Sequence, residues 1–270
     1  MAEGAEEVLF AHDAGIAILT LNRPERRNAI AAGIWEQFRA RLAAAADLPL
    51  RALVVTGAGG CFSAGLDLKP DNPLLARVLP IVGRRDADGA RALVEELKGV
   101  CDLLAAFPAP TVAAIEGACV GLGLELALAC DLRVAASDAR FSLPELRLGM
   151  VADLGGTVRL GRLVGPGKAA LLALTGCSWS GTEAEHHGLV ERLCAPGQAL
   201  EQARALGAEL RAAAPCAVRG ALQVLRATPD LDLQDALALE TEAGANALLS
   251  GELLEALAAR QGRRAPAWDA

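Results

Sequence analysis

The chain has no tyrosine at all, three histidines, and aromatic residues at only 3% of its 270 positions. So little aromatic and imidazole chemistry leaves few candidates for base stacking or for a histidine metal cluster. Its seven cysteines, at 61, 101, 119, 130, 177, 194 and 216, contain no Cys-x-x-Cys pair. An odd count without that spacing argues against both a disulfide framework and a zinc site. We read most of them as small buried hydrophobes. No uninterrupted apolar run reaches the length of about eighteen residues that a membrane-spanning helix needs. The opening Met-Ala-Glu-Gly-Ala-Glu-Glu is acidic where a signal peptide is basic and then apolar, which gives a cytoplasmic expectation. There is no basic excess either: the formal net charge is −7, which argues against nucleic acid as a partner.

Nucleotide and hydrolase motifs are also missing. Gly57-Ala-Gly-Gly-Cys-Phe62 and Gly121-Leu-Gly-Leu-Glu-Leu126 both lack the third small residue of a dinucleotide fingerprint, and neither ends in Gly-Lys-Ser/Thr. Cys61-Phe-Ser-Ala-Gly65 is one residue short of a nucleophile elbow, and His12, His186 and His187 stand in no triad context. His186 and His187 are adjacent and precede Gly188, so they read as a helix C-terminus rather than a metal pair.

What is present is an apolar fraction of 53%, rich in alanine and leucine, on a chain long enough to bury a large core. β-Branched runs predict strands at Val8–Phe10, Ile16–Leu21, Ala52–Thr56, Thr111–Ile115 and Leu132–Ala135. Helical patterns fall at Ala29–Ala46, Ala90–Ala106 and Leu122–Cys130. The alternation predicts an α/β class with much parallel pairing. From about Ala199 strand signals fade into helical stretches at 199–213, 217–227, 233–249 and 252–260. Residues 70–89, with Pro70, Pro73, Pro80, Gly83 and a charged run, read as a long irregular link suited to a mobile lid over the site.

Two glutamates stand out. Glu125 follows Gly121-Leu-Gly123 and falls in the first turn of a helix, where the amides of Gly121, Leu122 and Gly123 lack intrahelical acceptors. Glu145 closes Phe141-Ser-Leu-Pro-Glu145. A second glycine turn, Gly57 to Gly65, follows the strand Ala52–Thr56 and supplies matching backbone donors. Two such turns aiming one N–H each at a single oxygen make an oxyanion hole, worth roughly 3 to 4 kcal/mol per donor when charge develops there. Taken alone, either glutamate could instead be an ordinary helix-start or turn residue.

Phe62-Ser-Ala-Gly-Leu-Asp-Leu-Lys69, Ile115 through Asp131, and Phe141 through Glu145 resemble the enoyl-CoA hydratase/isomerase (crotonase) superfamily. Asn22-Arg-Pro-Glu-Arg-Arg-Asn-Ala29, Leu174-Thr-Gly176 and Gly188-Leu-Val190 extend the likeness to about residue 230. The resemblance implies a superhelical spiral of ββα units over residues 1–198 and a helical trimerisation region over 199–270, as a homotrimer or dimer of trimers. It implies an oxyanion hole from the N–H groups of Leu66 and Leu122, and a Glu125–Glu145 pair that holds a water. The substrate would be an acyl-CoA thioester, with coenzyme A as part of the substrate and no prosthetic group or metal. Lys69, Arg26, Arg27, Ala64 and Gly121 match positions near the CoA. In relatives the helical tail presents an aromatic and a lysine to CoA; Leu257 and Arg260 are the substitutes here.

The implied reaction is hydration of a 2-enoyl-CoA across C2=C3. One departure opens an alternative: Asp153, where typical hydratases carry a small residue and dienoyl-CoA isomerases an aspartate. Asp153 is then either a third catalytic carboxylate or the cap of a helix beginning near Leu154. A noncatalytic CoA-binding or RNA-binding member, and a thioesterase or decarboxylase on the same fold, are further alternatives.

Overall fold

A computed structural model describes residues 6–268, so the first five residues of the acidic opening lie outside it. The larger of two sheets has the order β1-β2-β3-β4-β6-β9, formed by β1 (Val8–Asp13), β2 (Ile16–Leu21), β3 (Ala52–Gly57), β4 (Thr111–Ile115), β6 (Leu132–Ala136) and β9 (Arg192–Cys194). Only β1–β2 is antiparallel; every later pairing in this sheet is parallel. The smaller sheet contains β5 (Ala118–Val120), β7 (Arg140–Ser142) and β8 (Trp179–Ser180), in that order. The chain steps from β4 to β5 and from β6 to β7, then back through helical segments, which is a spiral of ββα units rather than a doubly wound sheet.

Both faces of the large sheet are covered, which explains why β3 and β4 are mostly apolar and buried on both faces instead of alternating, with Thr56 and Thr111 as their buried polar residues. Leu19, Leu53 and Val55 join a core with Ile34, Phe38 and Leu42 of α1 (Ala32–Ala46). Ile18, Val54, Val112, Ala114 and Val134 on the opposite face meet Ala199 and Ala203 of α8 (Ala199–Ala212). The alanines let that helix lie close to the strands. Buried Arg133 closes the lower end of α4 (Leu122–Leu128): its guanidinium donates to the Cys130 carbonyl at 2.8 Å and the Leu189 carbonyl at 2.8 Å, and pairs with Glu191.

Residues 70–89 correct the sequence reading, because they are mostly helical. Asn72 caps α2 (Pro73–Arg84) by accepting from Leu74 N–H, Pro73 opens it, and Arg85 ends it in the left-handed region. Asp86 then caps α3 (Ala87–Ala105) by accepting from Gly89 N–H. Those two caps are the signals the proline count obscured. Pro80 sits inside α2 on its exposed side, where the carbonyl it leaves without a helical donor is that of exposed Ala76.

Helices α5 (Gly156–Val164), α6 (Pro166–Thr175) and α7 (Gly181–His186) complete the spiral, and His186 and His187 do lie at a helix end, as expected. The helices α9 (Pro215–Ala227), α10 (Leu233–Leu249) and α11 (Glu252–Gln261) follow the sequence expectation to within two residues at each end. Arg226 ties α9 to the sheet by gripping Asp131 at 2.7 and 2.8 Å, and Asp131 in turn accepts from Thr111 N–H at 2.7 Å.

Candidate active site

Three successive turns of the spiral deliver the predicted residues to one place. In the small sheet Ser63 bridges Cys119, and Cys119 pairs with Phe141, so the three segments run side by side. Each leaves the sheet within a few residues: the first at Leu66, the second at Leu122, the third at Glu145. These three, with Glu125, Gly65, Gly121 and Asp153, line a single cavity of about 260 Å³.

The first turn is held from below by Asn28, a fully buried residue with φ of 54°. Its side chain donates to the carbonyls of Ala58 and Cys61 and accepts from Arg23 N–H, and its own carbonyl accepts from Ser63 Oγ. Arg23 reaches Asp67 at 3.2 Å, fixing the far side of the same turn. Gly65 has φ of 87°, and a Cβ built there would stand 2.7 Å from the Val120 carbonyl and 3.5 Å from Leu122 N. Only glycine lets the two turns touch.

Among the described residues, neither Leu66 N–H nor Leu122 N–H has a hydrogen-bond partner, although their neighbours do. Gly65 N–H donates to Ser63 Oγ, Asp67 N–H to the Ile30 carbonyl, and Gly121 N–H to the Ser142 carbonyl. The Gly121 bond corrects one expectation: that amide is spent on the β5–β7 pairing and is no free donor. Gly121 serves instead as space, because a Cβ there would lie 2.8 Å from Glu145 Oε1.

Glu125 is 3% exposed. Its Oε1 accepts from Leu154 N–H at 2.9 Å and from Gly156 N–H at 3.0 Å. The carboxylate thus caps the start of α5 from another segment of the chain, leaving Oε2 for the cavity. Burial pushes its pKa up to about 7, with Glu145 and Asp153 adding to the rise and the two amides opposing it. Glu145 opens a short 3-10 turn; its Oε2 is buried without a partner, and burial, helped by Asp153, raises its pKa too. An unpartnered buried carboxylate oxygen is the kind of group a site keeps for a ligand or water.

Asp153 does not cap α5. The residue at the cap position is Gly155, with φ of 103°, and the amides that Asp153 would have served are taken by Glu125. Asp153 lines the cavity, half-buried, with its pKa raised by burial. Three carboxylates therefore face one largely apolar space.

The positions matched to CoA are less uniform. Ala64 lines the cavity, but its N–H donates to the Arg27 carbonyl at 2.9 Å, which leaves only its carbonyl for a ligand. Arg26 pairs with Asp71 at 2.9 Å, while Arg27, with φ of 52°, and Lys69 are exposed. Neither Lys69 nor Arg27 forms an ion pair among the described residues. Leu257 and Arg260 are exposed on α11. Residues 70–89 do lie against the cavity, as the sequence reading expected, through α2, but that reading missed their helical form, the share of the aliphatic wall that α3 contributes, and the buried Asn28 brace; an asparagine before a strand-like segment, tolerant of positive φ, was the available signal for the last.

The enoyl-CoA hydratase/isomerase family model matches residues 11–270. The chain belongs to that family. The human mitochondrial enoyl-CoA hydratase domain-containing protein 2 is 37% identical over 98% of this chain and 90% of its own length. The 2,3-dehydroadipyl-CoA hydratase of Escherichia coli is 35% identical over 87% of this chain and 88% of its own. Among solved structures, the enoyl-CoA hydratase of Bacillus anthracis superposes with a TM-score of 0.87 at 30% identity, covering 97% of this chain and 98% of that one. The enoyl-CoA hydratase of Mycobacterium tuberculosis gives 0.80 at 33%, over 97% and 98%. The crotonase fold is thereby shown, and the family acts on CoA thioesters. No helix among the described residues is long and apolar enough to cross a membrane, and no cluster of potential metal ligands occurs among them.

Proposed function

We propose that the chain hydrates 2-enoyl-CoA thioesters, adding water across C2=C3. The observation that carries this reading is the convergence of two unbonded amides, Leu66 N–H and Leu122 N–H, with Glu125 and Glu145 on one cavity. Addition at C3 drives negative charge onto the thioester oxygen, and the two amides stabilise it there. Glu125 and Glu145 orient and activate the water and return a proton to C2. A carboxyl with a pKa near 7 can hold or release a proton at neutral pH, which suits that exchange. Glu145 adds to the rise at Glu125, so acid and base are assigned to the two carboxyls together. The exposed Lys69 and Arg27, with Arg26, meet the CoA phosphates, and the Ala64 carbonyl faces the adenine. The helical tail, whose Leu233, Leu249 and Leu254 are largely exposed, is the oligomerisation region of a homotrimer or dimer of trimers.

One observation favours a second reading, isomerisation of a dienoyl-CoA: Asp153 lines the cavity instead of capping α5. A third carboxylate can move a proton along an extended dienolate. The deciding experiment follows loss of the conjugated enoyl-thioester absorbance on crotonyl-CoA and a longer 2-enoyl-CoA, with a 3,5-dienoyl-CoA alongside. Consumption of the 2-enoyl substrates, abolished in Glu145→Gln with CoA binding kept, supports hydration. Turnover of the diene alone, lost in Asp153→Asn, replaces it with isomerisation.

A further inference from the structure

Glu125 is only as well placed as the backbone that holds it. The two amides on its Oε1, Leu154 N–H at 2.9 Å and Gly156 N–H at 3.0 Å, belong to the peptide groups on either side of the Leu154–Gly155 peptide. That middle peptide has its own clamp. Arg159 of α5 donates from Nη1 to the Leu154 carbonyl at 2.9 Å. Gly155, with φ of 103°, makes room for the guanidinium, because a Cβ built there would overlap Nη1. Glycine also takes φ of either sign at little cost, so a segment that turns on it keeps one shape only where another group fixes it.

The clamp is anchored in turn. Arg159 Nη2 reaches Asp102 of α3 at 2.7 Å, and Asp102 pairs with Lys98 of the same helix at 3.1 Å. Earlier turns of α3 line the cavity with Leu93, Val94 and Leu97, so the helix that walls the site also anchors the peptide beneath Glu125. Neither Arg159 nor Asp102 belongs to the lining. Any part they take in the reaction passes through the groups they hold.

Resting on the hydratase reading, we propose that Arg159 is a positioning residue for Glu125: held by Asp102, it fixes the Leu154–Gly155 peptide and, through it, the two amides that aim the Glu125 carboxylate. Without the clamp those amides drift from Oε1, the charged carboxylate loses donors, and its ionisation moves upward. The other titratable groups facing Glu125 are Glu145 and Asp153 on the cavity and the Cys101 thiol of α3, which burial keeps neutral.

The test compares Arg159→Met, Asp102→Ala and Asp102→Asn with Arg162→Met, which removes an exposed arginine of the same helix that pairs with Asp230. Its first readout needs no turnover: NMR of protein labelled at the glutamate carboxyl carbons, with the Glu125 signal assigned by its absence from Glu125→Gln. Arg159→Met should raise the Glu125 midpoint by about one pH unit and Asp102→Ala by about half of that. The second variant decides between causes, because losing a negative charge would by field alone lower the midpoint. Asp102→Asn keeps an acceptor for Nη2 and should stay near wild type, as should Arg162→Met. The second readout is steady-state kinetics on crotonyl-CoA at neutral pH. There kcat should fall at least about tenfold in Arg159→Met and about threefold in Asp102→Ala, with KM within about twofold, the mark of lost alignment rather than lost binding. Should Arg159→Met fail to fold, Asp102→Ala decides alone, since the Asp102 side chain is half-exposed. A midpoint that stays or falls in Asp102→Ala, or a lower Tm in Arg159→Met with midpoint and kcat unchanged, overturns the proposal and leaves hydration standing. If no enoyl-CoA ester is hydrated yet the midpoint rises in both variants, the positioning role holds and the hydratase reading falls.

Discussion

Glu125 should make the protein less stable as pH rises, and Glu125→Gln should reveal by how much. Its folded pKa of about 7 lies above the ordinary value of 4.5, so between those values the folded chain binds more protons than the unfolded one. Stability therefore falls with rising pH across that window, and the loss is complete above about pH 7. The rise corresponds to roughly 3 kcal/mol once the group is ionised in both states, as at pH 8.5, against about 1 kcal/mol at pH 5. Glutamine keeps an oxygen for the Leu154 and Gly156 amides but carries no charge to desolvate. Any pH-independent effect of the substitution cancels when its stabilisation at pH 8.5 is compared with that at pH 5, leaving a difference of about 2 to 3 kcal/mol. For a chain of 270 residues that is a further rise in Tm of roughly 4 to 5 °C at the higher pH. Thermal unfolding of both proteins at both pH values, at fixed protein concentration and without ligand, is the assay. An equal Tm difference at pH 5 and pH 8.5 would refute the claim that burial holds this carboxyl near neutrality.

Gly121→Ala should lower kcat at least tenfold and destabilise by about 1 to 3 kcal/mol, since alanine must adopt a positive φ and place its methyl against Glu145; steady-state kinetics and thermal unfolding read both. Asn28→Ala removes three side-chain bonds that brace the first turn, and should cost about 2 to 3 kcal/mol in denaturant unfolding with a loss in kcat larger than the change in KM. Arg133→Met leaves the Cys130 and Leu189 carbonyls without their donor and Glu191 with only the backbone N–H of position 133, and should destabilise by about 3 kcal/mol in the same measurement, with kcat of the folded fraction unchanged.

Much of the site was legible in one dimension because its chemistry depends on backbone. A glycine turn after an apolar strand, and a glycine turn before a helix, announce available amides whatever side chains follow, and the family resemblance then singled out Leu66 and Leu122 as the donors to expect. Glu125 in a helix's first turn and Glu145 after Pro144 were legible for the same local reason. The parallel strands β2, β3, β4 and β6 were visible as apolar runs, and the resemblance carried the spiral that the runs alone could not specify.

Where the reading failed, the deciding contact came from another segment. Gly121 N–H looked free because its acceptor, the Ser142 carbonyl, lies on the next turn of the spiral. The cap reading of Asp153, one of the two left open, falls because the carboxylate that takes the Leu154 and Gly156 amides belongs to Glu125. The prolines of 70–89 masked α2, whose stability comes from the Asn72 cap and from its apolar side packing over the cavity and α3.

The sequence by itself determined the class of fold and the kinds of group the site would use, since turn propensity, periodicity and helix-end chemistry act over a few residues. Only the tertiary structure decided which of those groups remain unpaired, how far burial raises Glu125, and that α2 and α3 wall the cavity with hydrocarbon. Hydrogen-bond satisfaction and desolvation are set by neighbours distant in the chain, and those neighbours exist only once the spiral has closed.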